Sequence, residues 1–139
     1  MILLDANVLI YYLDETSEFY SITVNLLQEL INNQEQLVTS SHIIEEVLFI
    51  FSRLMPDVNL SKVVDKIAQL PNITMIEPSP SIDFSKHYAE LSKKLKIGIN
   101  DALILQLMLD ANITKLFSFD KKLSNKSRNL GIEQIINNS

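Results

Sequence analysis

Short apolar runs alternate with longer helical patterns along the whole chain, and this alternation limits the folds open to it. The runs that predict strands are residues 2–4, 36–39, 73–76, 115–119 and 132–136. Between them, apolar residues recur three and four positions apart, as in Phe19, Ile22 and Leu26, which is the spacing of an amphipathic helix. Strands that alternate with helices predict a mainly parallel sheet with helices on both faces.

The ends of the predicted helices are marked by capping residues and prolines. One helix begins at Ser40 or Ser41 and runs to residue 54, where Pro56 follows. The others are predicted over residues 7–13, 18–33, from Asn59 or Ser61 to 70, over 81–94, and over a segment capped by Asn100 that ends at 111. The last of these helices is apolar on nearly every side, which predicts a central, buried position.

Size and composition narrow the class of protein. A chain of 139 residues predicts a single domain over residues 1–139. Its net charge of −5 is unlike that of a typical nucleic-acid binder, so any contact with nucleic acid requires a local basic patch or a metal ion. The absence of cysteine excludes disulfides and thiolate metal sites, and it agrees with a cytoplasmic location. No apolar run approaches the ~20 residues of a membrane span.

Acidic residues stand where predicted strands end or where a helix begins. Asp5 follows the first strand directly, Asp120 follows the run 115–119, and Asp101 comes just after Asn100. Ligands of open parallel sheets bind beyond the carboxyl ends of the strands, so we expect these carboxylates to gather in one pocket. Such a pocket repels itself unless a cation occupies it, and Mg²⁺ and Mn²⁺ prefer oxygen ligands of this kind.

A fourth carboxylate is expected from the helix that follows the second strand. Glu45 and Glu46 are both candidates, and they lie at opposite edges of the apolar side of that helix. The periodicity alone leaves the choice between them open.

Phosphodiester hydrolysis by metal-activated water is the reaction that suits such a site. A phosphotransfer protein with an acidic pocket is a weaker alternative, since phosphatases that form an aspartyl phosphate place a second Asp where this chain has Asn7. A binding domain without catalysis is a further alternative, and the presence of all the acidic residues argues against it.

Four motifs, in order, resemble those of the PIN-domain family, which includes the toxin ribonucleases of toxin–antitoxin modules. They are Leu3-Leu4-Asp5-Ala6-Asn7-Val8-Leu9, Val38-Thr39-Ser40 with Ile43-Ile44-Glu45-Glu46-Val47-Leu48, Asn100-Asp101-Ala102-Leu103-Ile104, and Phe117-Ser118-Phe119-Asp120-Lys121-Lys122. Each motif alone is a weak signal, whereas the set of four covers nearly the whole chain. The resemblance selects Glu46, counted from Ser40.

The resemblance implies a three-layer α/β/α sandwich, a Mg²⁺ or Mn²⁺ site and ribonuclease activity on RNA. The implied metal ligands and catalytic residues are Asp5, Glu46, Asp101 and Asp120, with Asn7 and Ser118 as supporting residues. It also implies a homodimer and a small antitoxin partner. A housekeeping nuclease outside any toxin–antitoxin pair is the alternative within the same family.

Each of these residues also has an ordinary structural explanation. Asp5 could cap the helix that follows it, Asp101 could be a first-turn helix acid, and Asp120 could be a turn residue. The basic stretch beside Asp120 could be a solvated loop, or it could hold the RNA backbone. That stretch comprises Lys121, Lys122, Lys126 and Arg128.

Overall fold

The computed structural model describes residues 1–136 of the chain. Its strands are β1 (Ile2–Leu4), β2 (Leu37–Thr39), β3 (Ile73–Met75), β4 (Lys115–Phe117) and β5 (Glu133–Gln134). Its helices are α1 (Ala6–Leu13), α2 (Tyr20–Asn32), α3 (Ser41–Leu54), α4 (Leu60–Ala68), α5 (Ile82–Leu95), α6 (Ile99–Asp110) and α7 (Lys121–Arg128).

The strands form a five-stranded sheet in the order β3-β2-β1-β4-β5. The pairs β1–β2, β2–β3 and β4–β5 run parallel. A parallel sheet with helices between successive strands confirms the α/β fold predicted from the alternating pattern. By its internal packing the chain divides into two compact units, Met1–Ile76 and the segment that begins at Glu77.

The first unit is built on β1, β2 and β3. Leu3 pairs with Val38, and Val38 pairs in turn with Thr74. The apolar residues of β1 and β2 are fully buried, as expected for strands that are covered on both faces. Helix α3 buries Ile43 and Val47, four residues apart on one side of the helix.

The second unit contains β4, β5 and the helices α5 to α7. Helix α6 is buried on most of its circumference, which confirms the prediction made from its nearly uniform apolar sequence. Its buried residues are Ala102, Ile104, Leu105, Leu107 and Met108. Helix α5 is amphipathic and buries Phe84, Leu91 and Leu95. Within the described residues, no helix is both long enough and apolar enough to cross a bilayer.

Two local predictions were wrong. Asn100 does not cap α6, because the helix already begins at Ile99 with Gly98 as its N-cap, and no side chain caps it. The strand predicted over residues 115–119 ends at Phe117, because the backbone N–H of Asp120 donates to Ser118 Oγ at 3.0 Å and turns the chain.

Helix α7 was not predicted, since its sequence reads as a basic loop. Its inner side is made of Leu123, Ser124 and Ser127, and all three are buried. Because two of these buried residues are serines, the sequence of α7 nearly lacks the apolar periodicity that predicts an amphipathic helix. The one sequence feature that favoured a helix here was Asp120, because Asp is a common N-cap residue. In the structure its Oδ1 accepts from the backbone N–H of Leu123 at 3.0 Å.

Candidate catalytic carboxylates

Asp5 is a buried carboxylate at the carboxyl end of β1, with only 7% of its surface exposed. Its Oδ1 accepts from the backbone N–H of Ala6 at 2.8 Å, and Asp5 is the N-cap of α1. Its Oδ2 accepts from Asn7 Nδ2 at 3.3 Å. The capping explanation therefore holds, and Asn7 orients the carboxylate as its neighbour. Burial of a carboxylate is costly unless hydrogen bonds, a charge partner or a metal ion compensate it.

The environment of α3 distinguishes Glu46 from Glu45. The helix begins after Ser40, whose Oγ accepts from the backbone N–H of Ile43 at 3.2 Å and so caps the first turn. Glu45 is exposed, whereas Glu46 is half-buried and lies directly before the buried Val47. Of the two candidates, Glu46 is the less exposed, and its place in the site stays a prediction from the resemblance.

Replacement of Glu46 by Gln tests the ribonuclease activity that the resemblance implies. We expect RNA cleavage to fall by at least about 10-fold, since Gln keeps the volume of Glu but loses the negative charge that a cation requires. Glu45→Gln is the matched control, because it removes the same charge from the adjacent residue of the same helix. Initial rates of cleavage at a fixed Mg²⁺ concentration measure the difference. Equal rates for the two variants would remove Glu46 from the site.

Asp101 lies in the first turn of α6 and is half-buried. A negative charge at this end of a helix is favoured by the helix dipole, so the ordinary structural explanation holds for this residue too. That stabilising effect is small and does not conflict with a role as a ligand.

Asp120 is held at the start of α7 by two contacts. Its Oδ1 caps the helix, and its backbone N–H donates to Ser118 Oγ. Ser118 is itself buried at the end of β4. Ser118 therefore supports Asp120 through the backbone, and Asp120 acts both as a turn residue and as the N-cap of α7.

The donor set suits a hard divalent cation. All the candidate ligands are carboxylates, and Mg²⁺ and Mn²⁺ favour oxygen over the nitrogen and sulfur ligands that zinc prefers. Asp5 and Glu46 belong to the first unit and Asp101 and Asp120 to the second. Over residues 1–136, no three acidic or histidine side chains are already arranged as a metal-binding group. The four-carboxylate metal site therefore stays a prediction.

Residues 2–129 match the family model of the PIN domain. The chain belongs to the PIN-domain family. The match covers all four motifs identified in the sequence. No curated protein sequence matches the chain.

Solved structures share this PIN fold at low sequence identity. Mycobacterium tuberculosis VapC20, described as a sarcin-ricin loop cleaving toxin, has a TM-score of 0.69 at 12% identity, over 90% of this chain and 94% of that one. VapBC2 from Rickettsia felis, bound to a promoter DNA fragment, has a TM-score of 0.67 at 21% identity, over 96% and 97%. FitAcB from Neisseria gonorrhoeae has a TM-score of 0.66 at 18% identity, over 96% of each. At these identities the likeness establishes the fold.

Proposed function

We propose that this PIN-domain protein is a Mg²⁺- or Mn²⁺-dependent endoribonuclease whose site is formed by Asp5, Glu46, Asp101 and Asp120. The observation that carries the proposal is the buried carboxylate of Asp5 at the carboxyl end of β1. A buried acid at that end of a parallel strand stands where open α/β folds bind ligands. The other three acids occupy the matching motifs of the family.

The roles of the chain's own residues follow from their chemistry. The four carboxylates supply the negative charge and the oxygen ligands, while Asn7 and Ser118 hold Asp5 and Asp120 in place. A bound divalent ion would lower the pKa of a water molecule and neutralise charge that builds on the phosphoryl group. Because the carboxylates alone would repel an RNA phosphate, the same residues make cleavage depend on the cation.

We assign the protein to the toxin side of a type II toxin–antitoxin pair, acting on RNA in the cytoplasm. Support comes from the solved structures of similar fold, which include a toxin and the VapBC complexes of two organisms. A carboxylate pocket in a chain of net charge −5 could accept an Arg or Lys from an antitoxin in place of the metal ion. A small DNA-binding reading frame next to this gene would favour the toxin assignment over a housekeeping nuclease.

A homodimer is the assembly that we propose for the toxin. Helix α3 exposes Phe49 over 60% of its surface and Leu54 over 74%. The Arg53 guanidinium lies 5.5 Å from the centre of the Phe49 ring, so the exposed aromatic is flanked by a cation. Large exposed apolar side chains of this kind favour contact with another protein surface, here a second copy of the chain.

Cleavage of RNA tests the proposed function. We expect the purified protein to cut single-stranded RNA in the presence of Mg²⁺ or Mn²⁺ and to leave it intact in EDTA, because the carboxylate site requires its cation. Gel analysis of end-labelled RNA over time measures the reaction and separates internal cuts from trimming of the ends. Cleavage that persists in EDTA, or none with either metal, would contradict the proposal.

A further inference from the structure

Helix α7 concentrates positive charge in an otherwise acidic chain. Four of the 12 Lys and Arg residues lie within its eight residues, and the helix contains no Asp or Glu. Outside α7, only eight basic residues are set against all 17 acidic ones. The helix is therefore a local concentration of positive charge in a chain whose remaining residues are net acidic and would repel polyanions.

The basic side chains are held on the outer side of the helix. On the inner side, Leu123, Ser124 and Ser127 are buried. Ser127 Oγ donates to the Ser124 carbonyl at 2.9 Å and accepts from Gln134 Nε2 at 2.6 Å. These contacts fix the rotation of α7 within its unit.

The outer side of α7 consists of polar and cationic groups. Lys121, Lys122, Asn125 and Arg128 are all exposed, and Lys126 is half-buried. Arg128 Nη1 donates to Asn125 Oδ1 at 3.1 Å, which holds the guanidinium along the helix surface. We call the exposed set of Lys121, Lys122, Asn125 and Arg128 the basic face.

Helix stability does not account for the two lysines at the start of α7. The N-terminal end of a helix carries partial positive charge, so Lys121 and Lys122 are placed at the end that disfavours cations. Arg128 lies in the last turn, where a cation is favoured. Two cations at the N-terminal end of the helix are available to bind an anion there.

We infer that the basic face binds the sugar-phosphate backbone of single-stranded RNA next to the point of cleavage. The inference rests on the proposed ribonuclease function. Its geometric basis is Asp120, which caps α7 and is directly followed by Lys121, so a strand whose phosphate lies at Asp120 meets the basic face at once. An acidic segment of a protein partner would be attracted by the same charge, but the adjacency to a phosphodiester-cleaving acid favours RNA. Contacts of this type position the strand without reading its sequence.

Binding of a labelled single-stranded RNA of about 20 nucleotides in EDTA tests the inference, because EDTA prevents cleavage and removes the metal from the measurement. The test variant is Lys121→Gln with Lys122→Gln. The matched control is Lys93→Gln with Lys94→Gln, an adjacent and exposed lysine pair in the last turn of α5 of the same unit. Gln resembles Lys in helix propensity, so each variant loses two charges and little else. Circular dichroism verifies that both variants are folded.

Fluorescence anisotropy should show affinity lower by on the order of 10-fold for the α7 variant at about 0.1 M salt, and an unchanged affinity for the α5 control. The slope of log affinity against log salt should become shallower by about 1.4, which corresponds to about 0.7 per lost phosphate contact on a single strand. Equal affinities for the two variants, or an equal fall in both, would overturn the assignment of the basic face to RNA.

A second measurement separates this inference from the proposed function. With a dinucleotide substrate, which is too short to extend along α7, the α7 variant should lose a smaller factor in cleavage rate than it loses with long RNA, and the α5 control should cleave both substrates at the rate of the unmodified protein. A protein that cleaves neither substrate would contradict the proposed nuclease, while the binding measurement in EDTA would still decide the role of the basic face. A fall in dinucleotide cleavage equal to that with long RNA would place the lysines in the catalytic site and overturn the assignment to the flanking backbone.

Discussion

Replacement of Asp101 by Asn is expected to lower the rate of RNA cleavage by more than about 100-fold. Groups that only support a metal ligand typically cost 10–100-fold when they are changed, so the loss of a direct ligand should exceed that range. The fold should remain, since a first-turn acid contributes only ~0.3–1 kcal/mol through the helix dipole. Initial rates in Mg²⁺, with circular dichroism and a melting curve, measure the two effects separately.

Asp110→Asn is the matched control for this variant. Asp110 is the last residue of the same helix, it is exposed, and Gln106 Nε2 donates to its Oδ1 at 3.0 Å. The control removes the same charge from the same helix at the opposite end, where a negative charge is mildly unfavourable. Cleavage should be unchanged in this control. If Asp101→Asn cleaves RNA as fast as Asp110→Asn, the measured activity belongs to a contaminant or Asp101 is outside the site.

The fold could be predicted because its signals are local and repeated. A strand of three fully buried residues, such as β1, is recognisable in the sequence as a short apolar run. A helix that is buried on most sides, such as α6, is recognisable as a long apolar run. Pro56 and Pro71 interrupt the chain between such segments. The order of strands and helices along the chain then leaves few possible topologies, because neighbouring parallel strands require a crossover connection.

The errors arose where polar side chains decide the backbone path. The inner side of helix α7 includes Ser127, whose hydroxyl hydrogen-bonds to the Ser124 carbonyl and to Gln134, and such contacts leave no apolar period. The start of α6 at Ile99 has no side-chain cap, so Asn100 gave a false signal for the boundary. Both errors depend on whether particular polar side chains form hydrogen bonds, which sequence periodicity does not record.

The candidate site was predictable in its members and less so in its geometry. Strand ends indicated Asp5 and Asp120, the start of a helix indicated Asp101, and the resemblance selected Glu46. That these four acids form one site stays a prediction. The pattern left Glu45 and Glu46 open; Glu46 is half-buried and Glu45 is exposed, and the choice of Glu46 stays a prediction. The arrangement of four carboxylates from distant segments around one ion depends on side-chain rotamers and on the ion itself, and neither is encoded in a local pattern.

A divalent cation is expected to raise the melting temperature of the protein, and the double variant Asp5→Asn, Asp101→Asn is expected to lose this response. A ligand that binds only the native state stabilises it by about 2.7 kcal/mol at 100 times its Kd. For a chain of this size that corresponds to an increase on the order of 8 °C. Asn is as good an N-cap as Asp, so the change at Asp5 should preserve the start of α1.

The direction of the effect in EDTA distinguishes a metal site from general destabilisation. If the carboxylates repel one another in the apoprotein, the double variant without metal should melt at the same temperature as the unmodified protein or higher. Asp57→Asn with Asp110→Asn is the control, since it likewise removes one acid from each unit, but at exposed positions outside the proposed site. The control should keep the full metal-induced shift in differential scanning fluorimetry with Mg²⁺ and with Mn²⁺. A shift of equal size in the double variant would mean that the cation binds elsewhere, because Asp5 and Asp101 together supply two of the four proposed ligands.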